Sequence, residues 1–202
     1  MIKNFKTTIV TSFLLVLLVI FAGSMVRMTG SGMGCPDWPK CFGYLIPPTK
    51  EKDVFWKSNF NYKKGVMILK NKKFYSAKNS FISSDKFVLS NWLEYTKHDY
   101  NEFSVMNTWF EFINRLIGAI AGIATLIMFV FSLNYIKHKP TITFMSFLVV
   151  LSMLFQAWLG KLVVDSNLAP YKITVHMFMA IIILCLILNP LSKSNASFIL
   201  FS

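Results

Sequence analysis

The hydrophobic and polar positions of this chain fall into long blocks rather than short amphipathic periods. Four apolar runs each approach the ~20 residues that a helix needs to cross a bilayer. They predict membrane-spanning helices at 7–28, 109–133, 142–164 and 173–189. The sequence therefore predicts an all-α membrane protein, a bundle of four transmembrane helices forming a single membrane domain over residues 1–202. A long extracytoplasmic loop, residues 29–106, is predicted between helices 1 and 2.

The composition supports the membrane class. Of the 202 residues, 54% are hydrophobic, with 20 Phe and 11 Met, which argues against a water-soluble domain. The first apolar run is too long for the apolar core of a secretory signal peptide, and it lacks a convincing small-residue cleavage site. Residues 7–28 are therefore interpreted as a helix that stays in the protein.

Basic residues in the short flanks of the spans predict the orientation. The N-terminus carries Lys3 and Lys6, and the turn at 134–141 carries Lys137 and Lys139 without an acidic residue. Both segments are expected in the cytoplasm, so both termini lie inside a cell inner (plasma) membrane. Most of the basic residues behind the net charge of +12 are lysines of 29–106, mixed with acidic residues. No nucleic-acid partner is predicted, and membrane lipid is the expected surroundings.

The long loop divides into two parts. Residues 29–48 are rich in Gly and Pro, which favour ordered turns. Residues 49–106 alternate polar and aromatic positions and are expected to form short helices near the membrane surface. Cys35 and Cys41 lie in the first part, where an oxidising compartment favours a disulfide. Cys185 lies in the fourth run and is interpreted as a small apolar residue.

Polar side chains inside predicted spans are costly and point to a functional site. Under the predicted topology they gather near the outer ends of the four helices. They are Arg27, Glu111, Asn114, Arg115, Gln156, Lys161 and His176.

Helix 2 carries several of these groups on one face. Glu111 and Arg115 are one helical turn apart, and Asn114 lies on the same side. A functional role is favoured over a local ion pair. Gly118 and Gly122 follow on the same helix, and their spacing suits either close helix packing or room for a flat ligand.

His176 is the only histidine in a predicted span. It is either a hydrogen-bonded packing residue or a metal ligand through a neutral nitrogen. Haem iron commonly takes an axial histidine. The basic side chains Arg27, Arg115 and Lys161 would then pair with the haem propionates, and Asn114 and Gln156 would complete the cofactor-binding set.

Four stretches together resemble the haem A synthase family, and the match runs over about residues 15–190. The stretches are GSMVRMTGSGMGCPDWPKCFG at 23–43, EFINRLIGA at 111–119, QAWLGKLVV at 156–164 and ITVHMFMA at 173–180. Members of that family oxidise the C8 methyl of haem O to the formyl group of haem A for cytochrome c oxidase biogenesis. The resemblance implies haem O as substrate and haem O synthase as a partner.

The resemblance also implies residue roles. Glu111 matches the acidic residue of the family's Glu-x-x-His-Arg motif, which is held to be essential for the oxidation, and Arg115 matches the motif's arginine. His176 matches an axial ligand of the haem iron in the fourth helix. Cys35 and Cys41 match a pair that can form a disulfide, whose role is either a structural clip or redox exchange.

The sequence departs from the family in two ways. Asn114 stands where the motif has histidine, so one histidine ligand is expected rather than two. Family members have eight spans in two similar halves, and this sequence resembles the N-terminal half. Neither His98 nor His138 lies in a span where it could rebuild a second ligand. We therefore expect self-association, or a separately encoded second half that carries haem b.

Three functions follow in order of preference. The first is a haem-modifying oxidoreductase acting on a CH group, which a half-length chain would perform only when paired. The second is a non-catalytic haem-binding assembly subunit. The third is a membrane thiol-disulfide oxidoreductase, which normally needs a second reactive cysteine pair, whereas only Cys185 remains here.

Overall fold

The computed structural model describes residues 2–96 and 103–199. Its four long helices are α1 (Ile2–Met28), α2 (Val105–Ser132), α3 (Pro140–Asp165) and α4 (Pro170–Ile199). All four are long and apolar enough to cross a membrane, which confirms the predicted spans. Pro140 and Pro170 begin α3 and α4, where a missing N–H has no intrahelical partner to lose.

The chain divides into two compact units. The first, here called the helical unit, consists of the described residues up to 24, residues 114–163 and the described residues from 169 onward. The second, here called the strand unit, consists of residues 25–113 and 164–168. The extent of the single membrane domain that the sequence predicts stays a prediction.

The core of the helical unit is built from apolar side chains of all four helices. Several of them recur at a spacing of seven, which keeps them on one helix face. The buried members are Phe5, Ile9, Val16, Ala121, Met128, Ile142, Val149, Ile183 and Ile187. Burial of these side chains is the main source of the unit's packing.

The strand unit contains five short strands between α1 and α2. They are β1 (Asn61–Tyr62), β2 (Met67–Lys70), β3 (Lys73–Ala77), β4 (Phe81–Ile82) and β5 (Trp92–Glu94). One antiparallel sheet pairs β1 with β4, and a second has the order β2-β3-β5. The remaining regular structure of residues 29–104 in the described part is limited to single turns of 3-10 helix.

The prediction of short helices within 49–106 is therefore wrong, because this segment contains strands. The predicted all-α class holds only for the four long helices. The turn between β2 and β3 has Asn71 and Lys72 at φ of 52° and 60°, which matches the twist of a two-residue hairpin. Phe74 and Trp92 are buried in the core of the strand unit rather than spread on a surface. The extracytoplasmic position of this segment stays a prediction, and His98 lies outside the described residues.

Candidate functional site

The polar residues that the sequence singled out divide between the two units. Asn114, Arg115, Gln156, Lys161 and His176 belong to the helical unit, and Arg27, Glu111, Cys35 and Cys41 belong to the strand unit.

Gln156 and His176 are brought together by the neighbouring helices α3 and α4. The Gln156 Nε2 donates a hydrogen bond to the main-chain carbonyl oxygen of His176 at 3.0 Å. The same nitrogen lies 3.4 Å from His176 Nε2. One turn after Gln156, a Cβ at Gly160 would lie 3.4 Å from His176 Cε1. The glycine thus leaves the imidazole ring just enough room beside α3.

Six polar side-chain atoms of the helical unit are buried without a hydrogen-bond partner among the described residues, and three of them belong to residues that the sequence singled out. These three are His176 Nδ1, Gln156 Oε1 and Asn114 Oδ1. Leaving one such group unsatisfied costs about 1–3 kcal/mol, and native proteins keep few of them. Two of these atoms belong to Gln156 and His176, which lie in contact, and such a pair in an apolar bundle is the arrangement expected of a site that takes a ligand.

The other residues of the helical unit have less defined surroundings. Asn114 lies close to α1, where a Cβ at Gly23 would be 3.8 Å from Asn114 Oδ1. Arg115 and Lys161 are both half-buried. Gly118 and Gly122 have open space where a side chain would begin, with no described atom within 4 Å. Neither glycine therefore supports close packing against another described helix of this chain.

Glu111 is the most deeply buried acidic residue of the strand unit among those described, with 4% of its surface exposed. Its Oε2 accepts a hydrogen bond of 2.8 Å from the main-chain N–H of Cys35. Cys35 is joined to Cys41 by a disulfide, and both cysteines are buried. The disulfide loop and the candidate catalytic acid are thus linked directly. Arg27, at the end of α1, is exposed.

Gly34 and Thr108 complete this contact, and sequence reasoning missed both. The Thr108 hydroxyl donates to the carbonyl oxygen of Gly34 at 2.9 Å. A Cβ at Gly34 would collide with the main chain of Asn107 and Thr108, so only glycine allows this approach. Thr108 lies three residues before Glu111, on the same face of α2. This spacing is visible in the sequence and could have identified Thr108 as a neighbour of Glu111.

The disulfide loop is also held from the side of the sheets. The hydroxyl of Tyr95 donates to the carbonyl oxygen of Pro36 at 2.5 Å. Burial, together with the charges of Asp37 and Asp165, raises the pKa of Tyr95, so this hydroxyl stays a donor at neutral pH. The Gly43 N–H donates to Asp37 Oδ2 at 2.9 Å, which closes the loop on itself.

A metal site made only of protein side chains is not found in the described part of the chain. There, His, Cys, Asp and Glu do not form a group of three or more that could hold an ion.

The fold and these two groups define a polytopic membrane protein with a half-buried imidazole–amide pair and a disulfide-bonded loop against a buried carboxylate. The family model COX15-CtaA, described as "Cytochrome oxidase assembly protein", matches residues 6–197. The chain belongs to this family, and the predicted family resemblance is confirmed.

Curated relatives agree with the family. The chain is 26% identical over 192 residues to "Heme A synthase" of Pelagibacter ubique, a match that covers 92% of the chain and 49% of the relative. It is 27% identical over 182 residues to "Heme A synthase" of Orientia tsutsugamushi, covering 87% of the chain and 43% of the relative. The chain thus spans about half the length of the curated relatives it matches. No solved structure matches it.

Proposed function

We propose that this protein is a haem A synthase-like oxidoreductase, which oxidises the C8 methyl of haem O to a formyl group for cytochrome c oxidase biogenesis. The relatives named "Heme A synthase" support the reaction class. The observation that carries the proposal is the polar cluster of His176 and Gln156, which lie in contact and each have a buried polar atom without a hydrogen-bond partner among the described residues.

The residues of this cluster fit a haem. A neutral imidazole offers one lone pair to a metal, and the half-buried His176 lies beside Gly160, which places no side chain of its own against the ring. His176 would hold the iron. Arg115 and Lys161, with Arg27, would pair with the propionates, because guanidinium and ammonium groups bind carboxylates by charge-assisted hydrogen bonds.

Bound haem would supply the redox chemistry of the reaction, while the protein supplies position and charge. Converting a methyl group to a formyl group with water as the oxygen source releases four electrons and four protons. The electrons have to pass to an external acceptor, and the protons need an acceptor in the protein. Glu111 fits this role, since a buried carboxylate is the kind of group that serves as general base. The hydrogen bond from Cys35 N–H to Glu111 Oε2 holds the carboxylate in position.

A second candidate function is a non-catalytic haem-binding subunit for oxidase assembly. Asn114 favours it, because an asparagine at this position does not supply the second histidine of the family's motif. For a thiol-disulfide oxidoreductase we see no comparable support, since Cys35 and Cys41 are both buried and Cys185 is the remaining cysteine.

The cellular setting belongs to the same proposal. We place the protein in the plasma membrane with both termini in the cytoplasm, following the basic flanks of the helices. Haem O is the proposed substrate, and haem O synthase is a proposed partner. Pairing with a second copy, or with a chain that carries haem b, stays a prediction.

The experiment is to express the protein in membranes that produce haem O and no haem A, and to analyse the extracted haems by chromatography. Appearance of haem A supports the proposal. Retained haem without haem A selects the assembly subunit. If the protein contains no bound haem and forms no haem A, both functions are overturned. The matched control is Glu94→Gln, which removes an exposed carboxylate of the strand unit.

A further inference from the structure

The amide of Gln156 contacts His176 at two atoms, and the two contacts together determine how both side chains are oriented. The Gln156 Nε2 is 3.0 Å from the main-chain carbonyl oxygen of His176 and 3.4 Å from its Nε2. A carbonyl oxygen only accepts, so the amide atom facing it must be the nitrogen. A flipped amide would place two oxygen atoms against each other. The amide nitrogen is therefore the atom that also faces the imidazole.

This orientation decides where the proton of a neutral His176 lies. An amide nitrogen has hydrogens to donate and no lone pair to offer. His176 Nε2 can then only be the acceptor in this contact, which puts the ring proton on Nδ1. Nε2 keeps its lone pair, which is the form of imidazole that binds a metal.

In metal sites the tautomer is usually set from the other side, by an acceptor that receives the second ring N–H. His176 Nδ1 is buried and has no hydrogen-bond partner among the described residues. No described side chain therefore sets the tautomer from the Nδ1 side. In this structure Gln156 sets the tautomer instead, by donating a hydrogen bond to Nε2, the nitrogen that carries the lone pair.

We propose that Gln156 is a positioning residue that keeps His176 in the tautomer with Nδ1 protonated and Nε2 unprotonated, ready to bind iron. The proposal rests on the proposed function for the identity of the metal, but not for the tautomer itself. The contact to Nε2 is long at 3.4 Å, so an incoming iron displaces a weak hydrogen bond. The shorter bond to the carbonyl oxygen holds the Gln156 amide in this orientation until iron takes its position beside Nε2.

The direct test reads the tautomer without haem. The protein is labelled with ¹⁵N-histidine in a His98→Gln/His138→Gln background, so that His176 is the single labelled ring, and the ring nitrogen shifts are measured on the haem-free protein. We expect Nδ1 protonated and Nε2 unprotonated. In Gln156→Leu the proton should move toward Nε2. A protonated Nε2 in the parent protein, or a spectrum unchanged in Gln156→Leu, overturns the proposal.

A matched control uses a second amide of the same unit. Asn189 also lies on α4 and has a buried Oδ1 without a hydrogen-bond partner among the described residues. It is 13 residues beyond His176, about 20 Å along the helix. Asn189→Leu should leave the His176 shifts unchanged. If it changes them as Gln156→Leu does, the effect is not specific to Gln156 and the proposal fails.

Haem titration then tests the consequence for ligand binding. Gln156→Leu should weaken haem affinity on the order of 10-fold, the usual effect of losing a group that orients a metal ligand. Gln156→Glu should weaken it further, because a carboxylate accepts from Nε2–H and favours the opposite tautomer. Equal affinity in all three proteins would overturn the positioning role. Full haem binding by His176→Ala would instead overturn the ligand assignment of the proposed function, and the tautomer result would stand.

Discussion

At the scale of single residues, the two candidate site residues are held by partners that are distant in sequence. Glu111 is held by the main-chain N–H of Cys35, 76 positions away. His176 is held by the side chain of Gln156, 20 positions away. A hydrogen bond to a charged group contributes about 1.5–3 kcal/mol, so the contact to Glu111 is strong enough to position its carboxylate.

The carboxylate of Glu111 is predicted to act in the reaction and not in haem binding. Glu111→Gln removes the charge but keeps an oxygen that can accept from Cys35 N–H, so the loop contact survives. We expect unchanged haem content and a loss of haem A formation of at least about 100-fold, the lower range for a general acid or base. The measurement is haem extraction from membranes of both proteins.

The control for this prediction is Glu94→Gln, in which the lost carboxylate pairs with Lys73 at an exposed position. It should form haem A as the parent does. Haem A formation by Glu111→Gln at the parental level would show that the carboxylate has no part in the oxidation.

The identity of these residues could be predicted from the sequence, whereas their contacts could not. Polar groups in apolar runs are rare, so Glu111, Gln156 and His176 stand out at once. The bond between Gln156 and His176 depends on the rotation of α3 and α4 about their axes. No pattern within either helix specifies that rotation.

At the scale of elements, the segment around Gly34 is packed against the first turns of α2. Gly34→Ala would place a Cβ into the main chain of Asn107 and Thr108. Relieving an overlap of this kind typically costs about 1–3 kcal/mol. We expect the loop to move off α2, which would expose the disulfide between Cys35 and Cys41. The measurement is the rate of disulfide reduction by a mild thiol, which should rise.

Gly118→Ala is the matched control, because its Cβ would meet no described atom within 4 Å. The disulfide of Gly118→Ala should be reduced at the parental rate. An unchanged rate in Gly34→Ala would mean that the glycine is not needed for this contact.

The disulfide itself gives a second prediction at this scale. Cys35 and Cys41 are 0% and 1% exposed and bonded to each other. Thiol labelling of membranes without reductant should therefore modify at most Cys185, which is exposed. Mass spectrometry of the labelled peptides measures this directly. Quantitative labelling of Cys35 or Cys41 would contradict a disulfide in the mature protein.

The elements themselves were predictable to different degrees. The four helices could be predicted because an apolar run of this length satisfies all its main-chain hydrogen bonds within a bilayer only as a helix. The strands between α1 and α2 were missed, although an Asn-containing turn between apolar stretches is a hairpin signal. β1 and β4 have two residues each, which is too short for a period to be read from the sequence.

At the scale of the whole molecule, the chain combines four apolar helices with a small antiparallel unit inserted between the first two. The family model covers residues 6–197, so both parts belong to the family's pattern. The strand unit carries the disulfide loop and Glu111, while the helical unit carries His176 and Gln156.

The most direct measurement of the central claim is the haem content and absorption spectrum of the purified protein and its variants. The parent protein should carry haem, and His176→Ala should lose most of it because the iron loses its axial ligand. Asn114→Ala should lose little, since asparagine is not a usual ligand of haem iron, and Asn189→Leu should lose none. If His176→Ala keeps full haem content and an unchanged spectrum, His176 is not the ligand and the account is contradicted.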